Sequence, residues 1–168
     1  MAHYACAAGD TWASELGVLA ATRPRLVTSL FLRTVPPGTN GGMSLLGTVA
    51  SGAGGLFIGL IFAAMSPLLN TTVPATQLPM ALVGLASGLI GSLLDSLLGA
   101  TLQASYFSHK KQKIVKSLDY QDTSIEHICG YDVLSNETVN AVSIALTMII
   151  ATVIGPRIFC LCDPEHHC

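Results

Sequence analysis

The chain has 168 residues, 51% of them hydrophobic and only 11% charged, where a soluble domain carries roughly 25% charged residues; an ordinary soluble globule is excluded. Eight Lys and Arg against ten Asp and Glu give a formal net charge of −2, so there is no global basic field to hold nucleic acid. Five cysteines, Cys6, Cys129, Cys160, Cys162 and Cys168, are too few and too unevenly spread for the framework of a small secreted disulfide scaffold. The composition points to an all-α, polytopic helical membrane protein in the lipid bilayer. It is expected to have a polar N-terminal helical segment and about three transmembrane helices in one integral domain, residues 1–156, with a tail at 157–168.

Residues 1–22 carry Asp10 and Glu15 among Ala, Gly and Leu. That is too polar for a lipid-facing span but compatible with a helix inside a protein-lined pocket. If Gly9-Asp10-Thr11-Trp12-Ala13-Ser14-Glu15-Leu16-Gly17 is helical, Asp10 with Ser14 and Thr11 with Glu15 form two adjacent acid and hydroxyl ridges. Such hard oxygen donors suit Mg²⁺. The alternative is a helix start with Asp10 as N-cap and Glu15 solvated. Next come Arg23-Pro24-Arg25 and Pro36-Pro37-Gly38-Thr39-Asn40-Gly41-Gly42, directly before the first span. A Gly-rich turn entering a helix points free backbone N–H groups and a positive dipole end at one spot, which suits phosphate, and Arg25 is a candidate bidentate clamp. A plain turn, with Arg25 as a topology signal, is the alternative.

Spans are expected over 43–65, 78–103 and 139–156, because a hydrocarbon core about 30 Å thick needs roughly 20 helical residues. Pro156 is expected to end or kink the third, with Arg157 snorkelling. Three crossings put 1–42 and 104–138 on one side with Arg23, Arg25, Arg33, Lys110, Lys111, Lys113 and Lys116, and leave only Arg157 on the other. The first side therefore reads as cytosol, stroma or matrix, in a membrane whose identity the sequence does not resolve. Gly47, Ser51, Gly55 and Gly59, and Gly84, Gly88, Gly91, Asp95 and Gly99, form small-residue stripes for tight helix contact. Asp95 is the most informative residue, since an ionisable group in a membrane usually faces protein interior or water. With Asn136 and Asn140 opening the third span, the unusual polarity converges on one membrane face.

The Lys-rich loop from Ser105 to Ser117 reads as a solvated basic segment touching anionic headgroups. The tail Cys160-Leu161-Cys162-Asp163-Pro164-Glu165-His166-His167-Cys168 matches no standard zinc spacing and reads as frayed. The sequence carries no Walker loop, nucleophile elbow or dinucleotide fingerprint.

Several motifs together resemble the transmembrane protein 19 family from about residue 4 to residue 150. They are Asp10-Thr11-Trp12-Ala13-Ser14-Glu15-Leu16-Gly17, Arg23-Pro24-Arg25-Leu26, Gly38-Thr39-Asn40-Gly41-Gly42, the run from Gly91 through Asp95 to Gln103, and Gly130-Tyr131-Asp132-Val133-Leu134-Ser135-Asn136 with Asn140. That family includes animal proteins of unclear role, a plant plasma-membrane glucose-responsive regulator and the plastid phytyl-phosphate kinase of tocopherol synthesis. The resemblance implies phosphoryl transfer from a nucleoside triphosphate to an isoprenoid monophosphate, or alternatively a non-enzymatic regulator or small-solute transporter. It also implies further membrane helices ahead of the Asp10 motif, and it leads us to expect Val where Met43 stands. Residue chemistry and resemblance together suggest Asp10, Glu15 and Asp95 for catalysis and Mg²⁺. They suggest Arg25, Thr39, Asn40, Gly41 and Gly42 for phosphate, and Asn136 and Asn140 for orientation of substrate or acid side chains.

Overall fold

The computed structural model describes residues 1–29, 33–69, 78–115 and 124–162. It is a mostly helical bundle of α1 (Ala2–Gly17), α2 (Leu45–Met65), α3 (Leu78–Leu102) and α4 (Asn136–Cys162), with a short 3-10 turn at Ser66–Leu69. Helices α2, α3 and α4 are each long and apolar enough to cross a bilayer. Their large apolar side chains, among them Leu45, Val49, Phe57, Leu60, Met148 and Ile149, point outward. The bundle interior is small instead: Ala50, Ser51, Ala81, Ser87, Ser92, Ser143 and Thr147 are buried. Lipid solvates Leu as well as another helix does, so close backbone approach by small residues decides which faces meet.

Glycine makes that approach between α2 and α3. An ideal Cβ on Gly88 would stand 2.5 Å from the Ser51 carbonyl oxygen and 2.9 Å from Gly55 Cα. Within the predicted first stripe, Ser51, Gly55 and Gly59 face α3, whereas Gly47 meets Gly17 and the Ala13 carbonyl of α1. Helix α1 thus enters the bundle on its own glycines. Tyr4 reaches Phe62 of α2 with ring centroids 6.4 Å apart, and Trp12 stacks on Phe57 at 5.9 Å. Residues 1–17 therefore run through the depth of the bundle, which corrects the expectation that all of 1–42 lies on one side. No Lys or Arg precedes Arg23, so the basic asymmetry is unaffected.

Ser44, extended at φ −120°, caps α2 by accepting from Gly47 N, and its hydroxyl lies 3.2 Å from the Gly17 carbonyl at the end of α1. Helix α4 begins at Asn136, earlier than expected, and continues past Pro156 to Cys162, so the helix does not end at Pro156 and residues 157–162, expected in the tail, are helical. Proline removes one donor, and a membrane helix tolerates the loss through local adjustment. Cys160 is disulfide-bonded. Residues 163–168 and Lys116 lie outside the described residues.

The stretch expected as a solvated loop is folded. Strands β3 (Ser105–Ser108), β4 (Lys113–Val115) and β5 (Ile125–Cys129) form an antiparallel sheet of order β4-β3-β5. A two-stranded ribbon pairs β1 (Arg25–Leu26) with β2 (Gly42–Met43). Leu26, Val35 and Ala100 make a buried apolar cluster, with Val27, Ile128 and Cys129 packed on it. This cluster fastens the ribbon and the sheet to the C-terminal end of α3.

Candidate functional site

At that same end the helices part around a cavity of about 370 Å³. The second half of α1 supplies Asp10, Thr11, Ser14 and Glu15; the first turn of α2 supplies Gly47 and Thr48. The last turns of α3 supply Ser92, Asp95, Ser96 and Gly99, followed by Gln103; the start of α4 supplies Asn136 and Asn140; residues 37–44 close it over. Three carboxylates line it, and its described lining includes no Lys or Arg.

The two inner carboxylates face neighbouring helices. Asp10 lines the cavity with Ser92 of α3 and interacts electrostatically with Asp95. Asp95 receives α4. With its amide nitrogen turned inward, Asn140 donates to Asp95 Oδ2 at 2.9 Å and to the Asn136 carbonyl at 3.2 Å. The Ser143 hydroxyl lies 3.3 Å from the same Oδ2 and 3.0 Å from the Asn140 carbonyl, sharing its proton between them. Every one of these donors is neutral, so the Asp95 carboxylate is oriented without being paid off by a cation.

Nine of the ten sequence-predicted residues line this one cavity: Asp10, Glu15, Asp95, Thr39, Asn40, Gly41, Gly42, Asn136 and Asn140. Arg25 does not. In β1, Leu26 turns into the buried cluster and Arg25 is exposed, because successive strand residues point to opposite faces; Pro24 reaches the cavity in its place. The expectation of one three-acid magnesium set is also corrected. Among the described residues no three or more His, Cys, Asp or Glu gather as a metal-binding group. Asp10 and Glu15 are five apart on α1, about 140° around the helix, and Glu15 sits exposed at the rim.

The glycine turn differs in detail from the expected phosphate cradle. Thr39 N donates to Pro36 O, Gly42 N to Thr39 O at 2.9 Å, and Asn40 N to Ser105 Oγ at 3.0 Å, so these amides are engaged within the protein. Glycine at 41 answers a different need: φ is +73°, and a Cβ would collide with Ala100 Cβ and the Ser96 carbonyl. The Cys129 thiol lies 3.5 Å from the Asn40 carbonyl, and burial pushes its pKa up, opposed by Ser105 and Arg33. Sequence reasoning gave no role to Ser92, Ser96, Thr48 or Gln103. The signal for Ser92 was its place three residues before Asp95 on the same stripe.

Residues 1–148 match the family described as Integral membrane protein DUF92. The chain belongs to that family. Among curated relatives, this DUF92 chain is 41% identical over 160 residues to Protein PGR of Arabidopsis thaliana, covering 94% of this chain and 54% of that protein. It is 35% identical over 99 residues to the Uncharacterized membrane protein MJ0933 of Methanocaldococcus jannaschii, covering 59% of this chain and 37% of that protein. The chain thus spans about half the length of the first relative and a smaller share of the second. No solved structure matches.

Proposed function

We propose that this DUF92 protein is a membrane-embedded phosphotransferase that moves the terminal phosphoryl group of a nucleoside triphosphate onto an isoprenoid monophosphate, such as phytyl or polyprenyl phosphate. The products are a nucleoside diphosphate and a lipid diphosphate. The observation that carries the reading is the charge of the cavity: Asp10, Glu15 and Asp95 line it with no Lys or Arg in the described lining. A phosphate enters such a hollow only with a cation between it and the carboxylates.

The donor set fits Mg²⁺, which takes one or two carboxylates and keeps water and substrate phosphates as its other ligands. Asp10 and Asp95 would hold it, and bound there it would neutralise charge developing on the transferred group. Asn140 and Ser143 fix the Asp95 carboxylate, Asn136 and Asn40 offer amides to substrate oxygens, and Thr39 to Gly42 shape the rim. The resemblance to a family that includes a phytyl-phosphate kinase supports this substrate class. The cavity lies at the ends of membrane spans, where a phosphate headgroup can enter while its isoprenoid chain stays in lipid.

Membranes carrying the protein, given γ-labelled nucleoside triphosphate and phytyl or geranylgeranyl phosphate, are expected to yield labelled lipid diphosphate. Asp95→Asn should lower that yield by about two orders of magnitude while leaving membrane insertion intact. Label retained in the nucleotide with the parent protein, or unchanged turnover in Asp95→Asn, overturns the reading in favour of a regulator or small-solute transporter.

A further inference from the structure

The turn between β3 and β4 is a rigid basic knuckle. Lys111 N donates to the Oγ of buried Ser108 at 3.2 Å, the Gln112 side chain donates to the His109 carbonyl at 2.7 Å, and Gln112 sits at φ +51°. His109 is clamped to Glu126 at 3.0 Å. The lysines are left over: Lys110, Lys111 and Lys113 are exposed, and among the described residues no carboxylate pairs with them.

The sheet has two different faces. On one, Ile114 packs against Gly38 of the cavity rim. Lys113 and Val115 flank Ile114 and so project from the opposite face, where Val115 pairs with Tyr106 and Tyr106 meets the His127 ring at 5.4 Å. That outer face combines a half-buried tyrosine and valine with lysine, the mixture of aromatic body and snorkelling cation that sits at headgroup level. The sheet is also tethered. Only Gln103 and Ala104 separate β3 from the end of α3, and 130–135 return β5 to α4. Four residues of strand reach about 13 Å, comparable to the Debye length of about 8–10 Å over which a charged leaflet is felt.

We propose that the outer face of this sheet docks on anionic phospholipid headgroups of the leaflet at the cavity end of the bundle, through Lys110, Lys111, Lys113 and Tyr106. The docking requires no turnover in the cavity. The protein is reconstituted in nanodiscs of phosphatidylcholine, alone or with about 30% phosphatidylglycerol, and acetylation of each lysine by an N-hydroxysuccinimide ester is followed by peptide mass spectrometry. The three lysines should react at least about threefold more slowly in the anionic discs at low salt, and this protection should largely vanish near 0.5 M NaCl. Equal rates in the two discs overturn the proposal. Protection by inorganic phosphate in phosphatidylcholine discs, with no effect of phosphatidylglycerol, also overturns it and assigns the knuckle to a soluble anion.

Discussion

Helix α3 meets two of its neighbours, α2 and α4, by opposite means. Against α2 it presents bare backbone, Gly84 and Gly88 lying on Gly55 and Ser51 with no side chain between. Against α4 it presents a carboxylate, Asp95, gripped by Asn140 and Ser143. Both α3 and α4 are apolar enough to span, yet 39% of the most apolar stretch of α3 is buried against 11% of that of α4. Hydropathy therefore says that a helix enters the membrane and nothing of how firmly it is held. The close contact is fixed by small residues; the looser helix is placed by a few polar bonds, and the cavity opens where the two regimes meet.

The sharpest way to break this contrast is Gly88→Val. Its Cβ would press on the Ser51 carbonyl and Gly55 Cα, backbone that has nowhere to go, so a loss of about 3 kcal/mol or more is expected. The folded peak in detergent chromatography should disappear; a parent-like thermal midpoint would refute the close seam. Gly41→Ala should act locally, costing about 2 kcal/mol through positive φ and the collision with Ala100. Hydrogen exchange should rise over 36–43 while α2 and α3 amides stay protected. On the polar seam, Ser143→Ala and Asn140→Ala should each cost about 0.6 kcal/mol, and the double variant more than the sum, since it strips Asp95 of both α4 donors; strict additivity would separate the two bonds. Smallest is His109→Gln. The pair with Glu126 is half exposed, at 56% and 51%, and its loss should stay below about 0.5 kcal/mol by thermal melt.

The convergence of Asp10, Asp95, Asn136 and Asn140 on one end was legible because an acid inside a membrane span needs protein or water around it, and the glycine stripes named the faces that meet. What was not legible came from partners distant in sequence. Helix α1 was legible as too polar to face lipid and suited to a protein-lined pocket, but nothing in it announces that Gly9 and Gly17 would seat it on α2 and α3. Strands of three to five residues among lysines give too little alternation to be told from a loop. Arg25 stood beside the glycine turn in sequence, but one residue of strand register sends it outward. The turn's amides looked free because Ser105, which takes up Asn40 N, lies 65 residues further on.

The clasp at Asn40 has a mechanical consequence. Its amide is bonded to Ser105 at the start of β3, and its carbonyl meets Cys129 at the end of β5, so the mouth of the hollow and the three-stranded sheet move as one piece. Any tilt of the sheet on its surroundings is transmitted to that mouth, as a handle turns the door to which it is screwed.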